Sequence, residues 1–509
     1  MAFSTASIAV VGLLVALCFY LASVMSIKVD AREPPVIYPR IPFFGHIVGM
    51  LTEGPLYHRK LGDRYKYPIF TLPMLNGRSY VVTEPTLAVA VQRASSTLDF
   101  DELVVEMTPR LVGLGMETKA LLADKTAKEE GRTRMVTKAH SIVTPPLAAH
   151  QISVISEKQL AHFSGFANGI KDGQEAGLYK LVTTEVVAAS MYSFYGPQNP
   201  FAVDPDLINK YWDWDDGSIG YAMQFFPKIT ARKAYYAMEA CVKGWIEYTK
   251  DGRHSQAQPF LRDRMKMHYD EGISLEEHAR LEMGISLGFN SNASVTSFWV
   301  INNVFSDAKL LQEIREEIYA NAFEAPGTIY YSRIKDACPL LNSVWRETMR
   351  IIAPMVSARI VLEDILLADT YLLRKGNIVQ IAGTVMHSDT DIWGPDASSF
   401  NARRFFHSTN GTKSGAGGSK AGTVHPAAYR SFGGGTSLCP GRHFAQMEIT
   451  SLAAVMTLGF DMLPEQGRGW NPPKDEKRFP LVVMKPTRDV KVSLRRRKGW
   501  EDVEWDLRW

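Results

Sequence analysis

Cysteine is scarce in this chain. There are four in 509 residues, at Cys18, Cys241, Cys338 and Cys439. No two form a CxxC pair, so neither a disulfide framework nor a structural zinc site is indicated, and the usage fits a reducing compartment. An excess of one charge is also missing. Lys and Arg number 57 against 54 Asp and Glu, a net +3, which gives no electrostatic case for nucleic acid. Internal repeats are absent. Beyond the first forty residues no linker of suitable length and composition divides the chain. Length alone would suggest about three domains, but one large unit is expected, and 46% hydrophobic residues suffice for its core.

Charge is missing altogether from Ala6 to Ile27. As a helix this stretch would be about 33 Å long, against about 30 Å of bilayer hydrocarbon. Lys28, Arg32 and Arg40 follow it, which places the main body on the cytosolic side. A cleaved signal peptide is the competing explanation, but the start has no basic residues and the apolar stretch is long for one. Prolines 34, 35, 39 and 42 come next and favour a stiff, extended connection. The expected organisation is a transmembrane anchor over 1–27, a proline-rich hinge over 28–45 and a catalytic domain over 46–509.

Helical periodicity and good helix formers dominate from Pro85 to Arg350. Ser274 to Phe305 has few charges after Glu282, as expected of a helix buried through the middle of the fold. Strands are expected at Ile69–Leu72, Ser79–Val82, Arg359–Leu362, Asn377–Ile381, Leu481–Met484 and Val490–Leu494. The Gly-, Ser- and Lys-rich stretch from His407 to His425 is expected to be a surface insertion.

What the chain does contain is concentrated around Cys439. The run Ser431-Phe432-Gly433-Gly434-Gly435-Thr436-Ser437-Leu438-Cys439-Pro440-Gly441-Arg442 holds out one thiol and enters a helix-like stretch, His443 to Leu458. Its glycines permit positive φ and close approach to a flat ligand. Pro440 suits a first helical turn, and amides at a helix start favour a thiolate. A lone cysteine is ordinarily a small buried hydrophobe. Here the pattern Phe432-x-x-Gly435-x-x-x-Cys439-x-Gly441 resembles the haem-binding loop of the cytochrome P450 family. The resemblance implies a mainly α fold with small β-sheets, preceded by one transmembrane helix. It also implies a heme b cofactor (iron protoporphyrin IX) ligated by Cys439 and bound by the loop residues Phe432, Gly435 and Gly441.

Two further segments carry the resemblance. Glu347 and Arg350 share one face of a predicted helix. Phe400-Asn401-Ala402-Arg403-Arg404-Phe405 resembles the family's F-x-P-x-R-F element, with Ala402 in place of proline. The family places such a glutamate between two arginines, so Glu347, Arg350 and Arg404 are expected to form a buried structural network that fixes the thiolate loop. Arg359, at the start of a strand, is the implied partner of a haem propionate. The family's arginine two positions before the cysteine is Ser437 here. Arg132, Arg134 and His140 lie where the family has a tryptophan and a basic residue, without the tryptophan.

The family's oxygen-activating helix carries a small residue, then an acid and a threonine. The best register is Gly288-Phe289-Asn290-Ser291-Asn292, with Ser291 for the acid and Asn292 for the threonine. Asn292 offers a donor and an acceptor to dioxygen or a substrate oxygen; the alternative is a core amide bonded to a neighbouring helix. Phe289, Ala293, Met355 and Val356 are the candidates for the substrate side. Asn292, Phe298-Trp299 and Ser437 together resemble the branch holding sterol 7-hydroxylases and prostacyclin synthase.

The implied activity is insertion of one oxygen atom of O2 into a lipophilic small molecule, in sterol, terpenoid or specialised metabolism. The alternative is a haem-thiolate isomerase that inserts no external oxygen, and a third possibility is a non-enzymatic haem sensor. No dinucleotide fingerprint is evident, so the resemblance implies electrons from NADPH-cytochrome P450 reductase, with cytochrome b5 as a second donor. It implies residence in the endoplasmic reticulum membrane with the catalytic domain facing the cytosol. The basic run Arg495 to Lys498 could meet the partner or the membrane, or be a solvated patch beside Glu501, Asp502, Glu504 and Asp506. Tyr221 to Pro227 could dip into the bilayer or pack into the core.

Overall fold

The computed structural model describes residues 29–39, 41, 45–74, 77–127, 129–406, 424–476 and 483–509. The expected anchor, residues 407–423 of the expected insertion and the first half of the strand expected at Leu481–Met484 lie outside the described residues. Among the described residues no helix is long and apolar enough to cross a membrane. The chain is mainly helical with small sheets and falls into two compact units.

The smaller unit runs to Phe100 and includes Val356–Met386. Its sheet contains β1 (Ile69–Met74), β2 (Gly77–Val82), β3 (Leu98–Asp99), β4 (Val356–Val361) and β5 (Ile378–Ala382), in the order β1-β2-β5-β4-β3. Ile69, Phe70 and Leu72 are buried, as are Tyr80, Val81 and Val82. Burial on both faces is why these strands read as continuous apolar runs rather than alternating ones. β4 begins three residues before the expected strand, because Val356 pairs with Ala382. Part of the expected hinge is fastened to this sheet. The Thr71 N–H donates to the Pro35 carbonyl at 2.8 Å, and Ile37 returns a bond to Thr71 at 2.9 Å. The buried Glu33 carboxylate accepts from Tyr80 at 2.8 Å and pairs with Arg78.

The larger unit holds the helical body. Its main helices are α1 (Ser153–Gly169), α2 (Leu178–Tyr195), α3 (Asp206–Ala222), α4 (Arg232–Lys250), α5 (Pro259–Asp270), α6 (Leu275–Phe305), α7 (Pro339–Ile352) and α8 (Arg442–Gly459). α6 is the long central helix, 31 residues or about 46 Å. The Ser274 hydroxyl accepts from the Glu277 amide at 3.2 Å, and Glu276 and Glu277 fill its first turn, where negative charge complements the helix dipole. From Val295 to Ile301 every residue is buried. α7 starts on Pro339, with the Leu340 and Leu341 amides donating to Glu317 at 2.7 and 2.9 Å. A carboxylate there satisfies two donors that have no partner inside the helix. The late strand expected at Val490–Leu494 appears as Lys491–Arg496, antiparallel to Phe460–Pro464.

Candidate functional site

The loop before α8 closes on itself. The Cys439 amide donates to the Phe432 carbonyl at 3.0 Å, and the Leu438 amide to Gly435 at 3.2 Å. Gly433 has φ +76°, and a Cβ there would stand 3.1 Å from both Met355 Cε and the Ser437 carbonyl. The loop therefore needs glycine at 433 for conformation and space alike. Gly435 is also in the left-handed region, at φ +63°. Cys439 is half-buried and free. Burial pushes its thiol up, against the backbone amides of Gly441 and Arg442, which bond to the sulfur, and the nearby Arg442 charge. The helix start was expected to make Cys439 a thiolate. In the folded chain burial outweighs those amides, so an anionic sulfur needs a further cation beside it.

Behind the loop, α7 brings Glu347 and Arg350 together with Arg404, and all three are buried. Arg350 forks onto both carboxylate oxygens at 2.8 and 2.7 Å. Arg404 Nε and the Asn401 amide both donate to Glu347 Oε1 at 3.0 Å. The remaining guanidinium donors have partners as well. Arg350 reaches the His387 and Ala397 carbonyls at 2.5 and 2.7 Å, and Arg404 reaches the Trp393 carbonyl at 2.8 Å and Asp396 at 3.0 Å. Such completeness is what makes buried charge tolerable. His387 extends the network toward the cysteine loop. Its Nδ1–H donates to the Arg350 carbonyl at 2.8 Å, and its Nε2 accepts the Arg430 amide at 2.7 Å. Burial pulls its pKa down to about 3, which keeps that acceptor available. His387 carried no sequence signal, since its partners lie 37 or more residues away along the chain.

The middle of α6 differs in character. Gly288 is exposed, and Ile285 and Asn292 are half-buried, while Asn290, Ser291, Ala293 and Ser294 are buried. Positions 285, 288 and 292 share one face, and a Cβ on Gly288 would meet nothing within 4 Å. The helix thus has an open groove midway along its length. The Asn292 carbonyl accepts from Thr296 at 2.7 Å, while its side-chain amide makes no hydrogen bond to any described residue. Ala293 is buried, and its carbonyl accepts from Ser297 at 2.9 Å. The Phe289 ring stacks on Phe194 of α2 with centroids 4.1 Å apart. Met355 sits against Gly433.

Val356 and Arg359 lie on β4 of the smaller unit, where Arg359 is buried and donates to Ser357 at 3.0 Å. Arg134 pairs with Glu102 at 2.9 Å, and Arg132 with Asp124 and Glu130. Within the basic run, Arg496 donates to the Val503 carbonyl at 2.8 Å and Arg497 to that of Leu458 at 2.7 Å, so both tie down the C-terminal segment. Phe225, Phe226 and Ile229 stand out from the surface, 67, 67 and 78% exposed. His268, His278 and Glu282 are close enough together to suggest metal ligands. Arg264, however, pairs with Glu282 and supplies the positive charge that an ion would bring.

A mainly helical body, a glycine-rich loop presenting one cysteine, and a buried Glu–Arg–Arg network behind it define a haem-thiolate class of enzyme. The cytochrome P450 family model matches residues 223–493. Cytochrome P450 monooxygenase nodJ of Hypoxylon pulicicidum is 30% identical over 94% of this chain and 93% of its own. Cytochrome P450 7A1 of Sus scrofa is 25% identical over 94 and 97%, and cholesterol 7-alpha-monooxygenase of Cricetulus griseus 24% over 53 and 56%. The chain belongs to the cytochrome P450 family. It is an oxidoreductase of the monooxygenase type, and the family implies haem as its cofactor.

Proposed function

We propose that the chain is a membrane-tethered haem-thiolate monooxygenase acting on a lipophilic small molecule, with Cys439 as the ligand to iron. The carrying observation is the Cys439 sulfur held in a closed, glycine-lined loop with two backbone amides bonded to it. The residues present fit the group. One sulfur is offered, it needs a cation to ionise, and glycine keeps the approach clear. With haem bound, the chemistry supplied is activation of dioxygen under thiolate donation.

The chain's own residues do the rest. The Gly441 and Arg442 amides stabilise charge on sulfur. Phe432, Gly435 and Gly441 shape the loop, and the Glu347, Arg350 and Arg404 network holds its base. Asn292 Nδ2 donates to an oxygen in the α6 groove, and its Oδ1 can accept from a hydroxyl. Ala293 belongs to the substrate side, whereas the contact of Met355 with Gly433 sets it against the cysteine loop instead. Arg359 as a propionate partner and Val356 as a substrate contact rest on the family resemblance alone, and the Phe194 stack turns Phe289 toward α2.

Electrons come from NADPH-cytochrome P450 reductase, with cytochrome b5 as a second donor. The segment 6–27 serves as the anchor in the endoplasmic reticulum membrane, and 28–45 as the link to the catalytic domain. The exposed Phe225, Phe226 and Ile229 would meet the bilayer surface, where apolar side chains beside Lys228 and Arg232 favour an interface. Similarity to a cholesterol 7-alpha-monooxygenase supports a sterol-sized substrate.

The test is incubation of microsomes containing the protein and reductase with a panel of lipophilic candidates under isotopically heavy dioxygen, followed by mass spectrometry. One heavy oxygen atom per product is expected. Product formed from a peroxide substrate without reductase or NADPH would instead establish a rearranging enzyme, the second reading, which the unpartnered Asn292 amide favours. Cys439→Ala should abolish the red-shifted carbon-monoxide band of a thiolate-ligated haem, and retention of that band would remove Cys439 as the ligand.

A further inference from the structure

One buried charged cluster lies directly beside Asn292 and takes no part in the reading above. Asp215 of α3 is buried. Its Oδ1 accepts the Ser291 hydroxyl of α6 at 2.7 Å. Tyr211, one turn earlier on α3 and also buried, meets Ser291 Oγ at 2.6 Å. Because the serine proton is already directed at the carboxylate, Tyr211 is the donor in that contact. The other carboxylate oxygen pairs with Lys485, from the segment after residue 482. Lys485 reaches on to the more exposed Asp216 at 2.8 Å and lies 4.6 Å above the Trp212 ring.

Ser291 behaves unlike four polar residues near it on α6. Ser286, Asn290, Thr296 and Ser297 return their side-chain donors to the carbonyl four residues back, at 2.7 to 2.9 Å. That habit keeps their hydrogen bonds local and tends to bend a helix. Ser291 instead reaches across to another helix, one residue before Asn292. Successive helical residues point about 100° apart, so fixing Ser291 against α3 fixes the angle at which Asn292 faces the groove. Without Asp215, the Ser291 hydroxyl would be free to turn back onto the Leu287 carbonyl, beside the open position at Gly288.

We infer that Asp215 is a positioning residue for the oxidation site: through Ser291, and with Lys485 balancing its charge, it locks α6 in the rotation that presents Asn292 to the groove. The acid that the family carries at position 291 of α6 is in effect moved to α3 and reached by one hydrogen bond. This rests on the α6 groove being the reacting side, as proposed above.

The test uses the full-length, haem-loaded protein and the variants Ser291→Ala, Asp215→Asn, Asp215→Ala and the Ser291→Ala/Asp215→Ala pair. Amide hydrogen exchange is followed over 284–293 and 206–222, and affinity for the azole clotrimazole by its spectral shift. A hydrogen bond to a charged group governs equilibria by about tenfold or more. Ser291→Ala and Asp215→Ala should each speed exchange over 284–293 by about that factor and weaken clotrimazole. The pair should fall clearly short of the sum of the two single effects, because the Ser291–Asp215 bond is lost in each and can be lost only once in the pair. Asp215→Asn keeps an acceptor for Ser291 and should restore most of the protection.

Fully additive effects in the pair, or faster exchange confined to 206–222, would overturn the assignment. Ser291→Ala and Asp215→Asn are small changes and keep the test open should Asp215→Ala fail to fold. Each variant is first checked for the carbon-monoxide band. A protein that keeps the band but shows additive exchange sinks this inference alone, whereas loss of the Cys439 ligation result sinks the reading beneath it.

Discussion

Two polar regions of the larger unit invite comparison: the network at Glu347 and the groove at Asn292. In the first, a carboxylate and two guanidiniums are buried, and their donors end on named acceptors. In the second, an amide on a half-open helix face has no partner among the described residues, one position from a serine bonded to another helix. The contrast separates two uses of buried polarity. Groups whose hydrogen bonds are complete hold structure. A group left incomplete on an open face is available to something that arrives later.

The sharpest way to break the comparison is to remove one member of the complete network. Glu347→Ala leaves Arg350 and Arg404 buried without their carboxylate, and breaking such a set costs about 3–5 kcal/mol. Denaturant unfolding should report that loss, together with poor recovery of haem-loaded protein. Arg350→Lys keeps the charge but not the fork onto both oxygens, and should rescue little. A variant with normal stability would mean the network is not load-sharing at all.

A smaller effect is reached through pH. The His387 pKa is held down to about 3 by burial, against about 6.5 in an unfolded chain. As pH falls below about 6.5 the unfolded state takes up a proton before the folded one does. Stability is therefore whole above that pH and lost progressively toward pH 3, by about 2 kcal/mol at pH 5. His58 and His278, each drawn to about 4 by burial, add losses of the same sign. The share of His387 is read by difference: His387→Gln should flatten the slope of stability between pH 6.5 and 5 by about that amount. An unchanged slope would show that His387 is not held neutral.

Much of this was legible in the sequence. The long central helix, the strands of the smaller unit and the Glu347–Arg350–Arg404 triad all follow from local pattern or from motif resemblance. What escaped notice was polarity satisfied at long range. His387 gave no signal because its partners are the Arg350 carbonyl and the Arg430 amide, backbone groups that any residue supplies. Asp215 looked like one of several acids in Asp213-Trp214-Asp215-Asp216. Only its burial and its hydrogen bond from Ser291 of α6 distinguish it from its exposed neighbour. Ser291 looked like the simple loss of an acid, because a hydrogen bond to another helix leaves no periodicity. The burial of Cys439 escaped notice for a related reason: helix-start amides are visible in a sequence, but the burial that works against them is not.

The motif's missing proline offers a finer probe of the first region. The Ala402 carbonyl accepts from the Ser343 hydroxyl at 2.6 Å, and its N–H has no partner among the described residues. A proline there would forfeit no hydrogen bond. Ala402→Pro should stabilise the protein, by no more than about 1 kcal/mol, through a more restricted unfolded chain. A loss larger than that would show that residues 400–404 take a backbone course a proline cannot follow. Calorimetry on the haem-loaded protein reads either result.

The smallest expected change in stability belongs to the second region, and it completes the contrast. Asn292→Ala removes an amide with nothing to lose within the chain and substitutes a better helix former, so unfolding should shift by about 0.5 kcal/mol at most, in the stabilising direction. The same variant should alter the share of electrons recovered as product rather than as hydrogen peroxide, measured with reductase and an accepted substrate. Asn292→Thr, which restores a hydroxyl that can either bond back to the Gly288 carbonyl or face the groove, should shift that share again. If stability fell by several kcal/mol while the electron share stayed fixed, Asn292 would belong with Glu347 as a structural group, and the distinction drawn between the two regions would fail.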